Sequence, residues 1–330
     1  MTPTSESVTT MREPTLEDVR VAAKRLRGVV ARTPLLYPET PGTPLAGAMV
    51  LKPENLQVTG SFKPRGAYNK MASLAPEVRA RGVVAYSSGN HAQGVAYAAR
   101  LLGVPATVVM PENAIPAKLA ATQALGATVV QVGTTSQERL EYAVALAQRE
   151  DKAIVPAYDD PAIVAGQGTI GLEILEDMQD VRAVVVCLGG GGMLAGIALA
   201  IKSQRPDVRV IGVEPEGAAD GQASLRAGHI VTWERIETIA DGLRATHLGD
   251  LPFALISRLV DDIVTVSEEE VRAATLALHR TARLVVEPSG AVAVAALMHG
   301  KTGVEGRHAV ATVSGGNVDP TLLRSWLENA

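Results

Sequence analysis

Lys63 stands in GSFKPRGA (residues 60–67). Three segments far along the chain have compositions suited to serving a lysine amine: SSGNHAQG (87–94), GGGGM (189–193) and SGGN (314–317). A lysine that condenses with the aldehyde of a phosphorylated pyridine cofactor needs three things: a cradle for the phosphate, a partner for the ring nitrogen and donors for a substrate carboxylate. Each segment can fill one of those roles. Lys63 itself sits where the chain must turn, after Gly60, Ser61 and Phe62, and Pro64 suits the first helical position. On its own such a lysine reads as a solvated surface residue; the other three segments change that reading.

GGGGM follows the strand-like run AVVVCL and precedes the helical pattern MLAGIALAIKS. Glycines there permit a tight turn with exposed backbone amides, and the positive end of the next helix holds a phosphate dianion without a basic side chain. The same loop leaves a rival open. Gly190, Gly192 and Ala195 satisfy a loose GxGxxA, and Glu214 ends the next strand 24 residues after Gly190, as in a dinucleotide-binding unit. That alternative is an NAD-dependent oxidoreductase.

In SSGNHAQG, residues Ser87, Ser88, Gly89 and Asn90 lie at a strand-to-helix turn, with the helix expected from about His91. Hydroxyls and amides there suit an amino-acid carboxylate, and Asn90 can hydrogen-bond a cofactor phenolate. An ordinary helix cap is the plainer reading. His91 is a possible base, but it reads better as a residue at the helix start, and Lys63 is the better base. Ser314 offers the ring nitrogen a hydroxyl in place of a carboxylate. That makes a weaker electron sink and favours β-eliminations.

These residues need a scaffold, and the chain supplies one by alternating short apolar runs with helical patterns, as parallel βαβ units do. A capped helix opens at Thr15, with Asp18 as the capping partner. Strands are expected at 83–86, 106–110 and 127–132, and a second series at 183–188, 208–214, 262–266 and 308–313. This predicts an α/β protein of two domains with the site in the cleft between them: a small domain over 75–155 inserted into a larger one made of 1–74 and 156–330. The 330 residues are 47% hydrophobic, enough for two cores.

The net charge of -4 is spread along the chain, which points to a small-molecule partner and away from nucleic acid or an anionic membrane. The single cysteine, Cys187, excludes an internal disulfide, fits a reducing, cytoplasmic compartment and reads as a buried strand residue. The first dozen residues, rich in Ser and Thr, do not read as a signal sequence, and no apolar stretch approaches a membrane span.

From RTPLLY (32–37) to SGGNVD (314–319) the chain resembles the fold-type II pyridoxal-phosphate enzymes of the serine racemase and threonine/serine dehydratase group. The shared strings are ENLQVTGSFKPRGA, SSGNHAQG, AGQGTIGLEI, GGGGMLAG, ADG (240–242), LVDDIVTVSEEE and SGGNVD. The resemblance implies pyridoxal 5'-phosphate bonded to Lys63. Phe62 and Asn90 would lie against the cofactor, Gly189, Gly190, Gly191, Gly192 and Met193 on its phosphate, and Ser314 at its ring nitrogen. Ser87, Ser88, Gly89, Asn90 and His91 would receive the substrate. It also implies a divalent cation (Mg²⁺, Ca²⁺ or Mn²⁺) on Glu214, the Ala218 carbonyl and Asp220, hard oxygen ligands suited to such ions. A homodimer or homotetramer is expected on the same ground.

The implied reaction is dehydration of L-threonine or L-serine to an α-keto acid and ammonia. Serine racemisation and 3-hydroxyaspartate dehydration compete with it, because racemases of the group use a serine at the position of Ser88 to protonate Cα from the face opposite the lysine. Val58 stands where animal racemases carry a basic residue linked to nucleotide binding, so ATP activation is not expected. No regulatory domain is expected after SGGNVD, and hence no feedback by isoleucine.

Overall fold

The computed structural model describes residues 12–304 and 306–328. Apart from Arg12, the Ser/Thr-rich opening segment lies outside the described residues.

Two parallel sheets organise the molecule. The larger runs in the order β1 (Val50–Pro53), β9 (Ala309–Val313), β6 (Ala183–Cys187), β7 (Arg209–Pro215), β8 (Asp262–Val266). The smaller runs β4 (Thr128–Gln131), β3 (Ala106–Met110), β2 (Val83–Tyr86), β5 (Ala153–Ile154). The α/β class, the parallel sheets and the seven expected strands are all found, with ends shifted by a residue or so. β6 and β9 are buried at every position, as continuous Val/Ala runs are when helices cover both faces of a parallel sheet.

Two strands escaped the sequence pattern. β1 reads VLKP and contains Lys52, which is completely buried, and β5 is only two residues long. β1 pairs in register with β9, Val50 opposite Val310 and Pro53 opposite Val313, and so brings the segment leading to Lys63 alongside the strand leading to Ser314.

Helix packing then fixes the depth of the site. Helix α2 (Lys63–Ser73) lies against α4 (Asn90–Leu102) and α7 (Pro161–Asp177), and α7 lies against α8 (Gly192–Lys202). Glycines make these approaches possible. A Cβ on Gly166 would fall 2.6 Å from the Arg65 carbonyl oxygen, one on Gly168 2.7 Å from that of Gly196, and one on Gly94 3.1 Å from the Lys63 backbone. The apolar cluster beneath the small sheet includes Val83, Val95 and Val108 together with Ala67 and Met71 of α2 and Ile163 of α7.

Candidate active site

The site lies at the carboxyl ends of the strands, where open parallel sheets place ligands. β9 delivers Ser314, β6 delivers Gly189–Gly192 and β2 delivers Ser87–Asn90. Lys63 opens α2, one residue before Pro64, in place of the expected start at the proline. Residues 60–62 run antiparallel to 314–316: Ser61 bridges Gly315, the Phe62 amide donates to the Ser314 carbonyl at 3.1 Å, and the Gly316 amide donates to the Gly60 carbonyl at 2.8 Å. Gly60 has φ +72°, and a Cβ there would meet Asn317 Oδ1 at 2.6 Å. The two most distant segments of the proposed site are thus stitched directly together.

The Lys63 amine donates to the Ala157 carbonyl at 3.2 Å and lies 5.0 Å from the centroid of the Phe62 ring. Its side chain keeps some surface contact, but the dense protein around Nζ dominates. That burial pushes the amine down to about 8, against the opposing pull of Cys187 and Glu287. Ser314 is buried. Its hydroxyl donates to the Ser289 carbonyl at 3.3 Å and also reaches Cys187. Cys187 is a free, buried thiol, as expected, raised to about 11 by burial. Its closeness to Lys63 and Ser314 was not evident from the sequence.

Asn90 is the hub of a network that the sequence did not reveal. Its Nδ2 donates to Glu287 Oε1 at 2.5 Å, and its Oδ1 accepts from Asn317 at 2.8 Å. Burial raises Glu287 to about 7, and its Oε2 has no hydrogen-bond partner, although Lys118 Nζ lies 3.8 Å away. Lys118 in turn pairs with Asp241 of the ADG string at 2.5 Å. The one available signal for Glu287 was a carboxylate between an apolar run and Pro-Ser-Gly.

His91 is buried, with Nε2 on the Val155 carbonyl at 2.9 Å. Burial, and then the Lys63 charge, push it down to about 3, so it is neutral and its Nε2–H is committed to that carbonyl. Ser88 is exposed, while the Ser87 hydroxyl accepts from the Gly89 amide at 3.1 Å.

The glycine loop is shaped by Tyr158. A Cβ on Gly190 would fall 2.3 Å from its ring and one on Gly192 2.9 Å from its backbone, while Gly191 adopts φ +93° at the start of α8. No side chain caps α8 or α4, whereas α1 (Leu16–Leu26), α6 (Ser136–Arg149) and α11 (Glu268–Thr281) each carry a full capping box. Several other helices also lack a side-chain cap, but α8 and α4 are the two that open directly at the glycine loop and the Ser87–Asn90 turn, so their first amides can face an anion. These amides and the unpartnered buried Ser61 hydroxyl, all possible donors, fit an anionic, polar ligand, while the unpartnered Glu287 oxygen is an acceptor open to a donor.

Glu214 and Asp220 form a second acidic pair. Glu214 accepts from the amides of Gly221 and Gln222, both at 2.8 Å, so its oxygens are turned into the protein and are not presented to a ribose. Burial raises it to about 8 with Asp220 adding to the effect, and burial raises Asp220 to about 7. Both Asp220 carboxylate oxygens are buried without a hydrogen-bond partner. Among the described residues, no group of three or more His, Cys, Asp or Glu side chains is suited to a metal. The donor set here has two carboxylates and needs the Ala218 carbonyl to complete it.

Residues 26–315 match the family model described as pyridoxal-phosphate dependent enzyme. This chain belongs to that family. It is 47% identical over 309 residues to an L-threonine ammonia-lyase of Thermotoga maritima, covering 94% of this chain and 77% of that one. It is 44% identical over 311 residues to an L-threo-3-hydroxyaspartate ammonia-lyase of a Pseudomonas species, covering 94% and 98%. Maize serine racemase has a similar structure, with a TM-score of 0.90 and 34% identity, covering 96% of this chain and 98% of that one. The pyridoxal-phosphate enzyme thus has a fold-type II architecture, pyridoxal phosphate as its cofactor and relatives of exactly the kinds the motifs resembled. Among the described residues no helix is long and apolar enough to cross a membrane.

Proposed function

We propose that this enzyme is an ammonia-lyase that dehydrates a β-hydroxy amino acid, L-threonine or L-serine, to an α-keto acid and ammonia, with Lys63 as the lysine that binds the cofactor. The observation that carries this reading is the buried Lys63 amine, pushed down to about 8 and held by backbone bonds beside Ser314. At neutral pH about a tenth of such an amine is unprotonated, far more than for a free lysine. Such an amine would be the attachment point for the cofactor aldehyde and, when free, the base that takes the Cα proton.

The bound cofactor supplies the electron sink for loss of that proton. The chain does the rest. Gly189–Met193 and the open end of α8 would hold the phosphate, and Ser314 would meet the ring nitrogen. Asn90, itself fixed by Glu287 and Asn317, would hold the ring oxygen. Ser87–Asn90 and the α4 amides orient the substrate carboxylate. A hydroxyl at the ring nitrogen supports elimination, in which the leaving β-group carries the electrons away.

Glu214, Ala218 and Asp220 would hold a divalent cation. The two orphaned Asp220 oxygens are what support it. Residues 75–155, which contain the small sheet, are the small domain of this reading, and the single buried cysteine supports a cytoplasmic enzyme.

A second reading, serine racemase, is favoured by Ser88, whose exposed position on the turn leaves its hydroxyl free to act as a second acid. A paired assay separates the two. Keto-acid release and enantiomer formation are followed with L-threonine, L-serine and L-threo-3-hydroxyaspartate, using the cofactor-loaded enzyme with Mg²⁺. Rapid keto-acid release without D-enantiomer is expected. D-serine formed as fast as pyruvate overturns the proposal in favour of a racemase.

A further inference from the structure

Two residues beyond Lys63, the Arg65 guanidinium is completely buried and gripped from two sides. Nε and one terminal nitrogen hold Glu54 at 2.7 and 2.8 Å, and the two terminal nitrogens hold Glu173 at 2.7 and 3.0 Å. It also donates to Thr169 Oγ1 at 3.1 Å and to the Ala31 carbonyl at 3.4 Å. Lys52 completes the group, donating to Glu173 at 2.5 Å and to the Thr33 carbonyl at 2.6 Å, while the Thr33 hydroxyl donates to Glu54 at 2.7 Å. Two cations and two carboxylates thus balance, and Lys52 and Glu54 are as fully buried as Arg65.

A buried ionic group of this kind is often no more stabilising than apolar residues of the same shape, so stability alone does not account for it. What it supplies is direction. Two bidentate pairs fix a guanidinium in its plane. They connect α2, which carries Arg65, to the turn after β1, which carries Glu54, and to α7, which carries Glu173. α7 also packs on α8, the helix that follows the glycine loop.

Two residues along a helix correspond to roughly 200° of rotation, so the network grips α2 on the side nearly opposite Lys63. A rotation of α2 by roughly 10° would move an atom about 8 Å from the helix axis by about 1.4 Å. Displacements of about 1 Å at reacting groups cost about 100-fold in rate.

We propose that Lys52, Glu54, Arg65 and Glu173 form a positioning device that sets the rotation of α2, and with it the place of the Lys63 amine relative to Ser314 and the glycine loop. The inference rests on the reading of Lys63 as the lysine that binds the cofactor.

The test compares the holoenzyme with Glu173→Gln and with the double variant Lys52→Met/Glu173→Gln, in which Arg65 and Glu54 still balance. Melting temperature, kcat, KM and the pH midpoint of the lysine–cofactor absorbance band are measured for each. Glu173→Gln is expected to lower the melting temperature and to lower kcat by about 10- to 100-fold, with KM within about threefold. The double variant is expected to regain melting temperature while kcat stays low and the band midpoint stays shifted. It also carries the test if the single variant does not fold.

Recovery of kcat and of the band midpoint together with melting temperature would overturn the proposal and leave the tetrad a stabilising element only. So would a wild-type kcat and midpoint in Glu173→Gln. Lys63→Ala, run alongside, distinguishes failure of the underlying reading: persistence of the band in that variant rejects Lys63 as the attachment point, a result the tetrad variants do not produce.

Discussion

Lys63 and Arg65 are separated by one residue and share a helix, yet their surroundings treat charge in opposite ways. Arg65 is buried with a bidentate carboxylate on each side, and Glu54 stays ionised there: burial would raise it, but the Arg65 charge and hydrogen bonds hold it below its usual range. Lys63 has one carbonyl at 3.2 Å and no carboxylate in hydrogen-bond contact, so burial prevails and the amine is pushed toward its neutral form. The difference shows that burial by itself does not make a reactive group. Burial without pairing does, and a fully paired neighbour allows the helix to hold the unpaired one still.

The largest expected effect separates the two residues by function. Lys63→Ala should lower turnover by about 10⁴-fold or more, since it removes both the attachment point and the base, while leaving the cofactor-free fold intact. Loss of turnover is measured with saturating cofactor, and the fold by circular dichroism. Retained activity breaks the comparison at its root.

Arg65→Met should instead damage stability. It leaves Glu54 and Glu173 buried with only Lys52 to compensate them, a cost of about 3–5 kcal/mol in urea unfolding of the cofactor-free protein. A change below about 1 kcal/mol would mean that the network is not what holds α2.

Lys63→Met sharpens the contrast by pH. The folded lysine releases its proton at about 8, below the unfolded value of 10.5, so the folded chain binds it less tightly. Lys63 therefore costs stability below about pH 8, and the cost disappears as pH rises toward 10.5. The cofactor-free variant should be more stable than the parent by about 1–3 kcal/mol at pH 7 and no more stable above about pH 11. A pH-independent difference would contradict the desolvated state of the amine.

The opposite pH slope concerns Glu287, buried like Glu54 but poorly paired. Its folded value of about 7 exceeds the ordinary 4.5, so the folded chain binds that proton more tightly, and stability is lost as pH rises from 4.5 through 7. Glu287→Gln should remove this slope, an effect of about 1–3 kcal/mol in the cofactor-free protein. An unchanged slope would place the titration elsewhere.

The chemistry of the site was legible because it is carried by short contiguous strings. A lysine at a turn, glycines after a strand and a Ser-Gly-Gly-Asn turn each state their local backbone requirement in a few residues, and seven strands declared themselves as Val-rich runs of four to seven residues. What the sequence left open was the partnership of residues far apart in the chain. Strand β1 was missed because a buried lysine and a proline break its apolar pattern, and that lysine is buried with its amine paired to Glu173, 121 residues away, and to the Thr33 carbonyl. Glu287, Asn317 and Tyr158 likewise enter the site through bonds and contacts that span the fold. Residue type and spacing therefore determined which groups can do chemistry. Only the tertiary structure decided which of the buried charges would be neutralised by a partner and which, like Lys63, would be left to give up a proton, because desolvation and pairing depend on neighbours in space and not on neighbours in sequence.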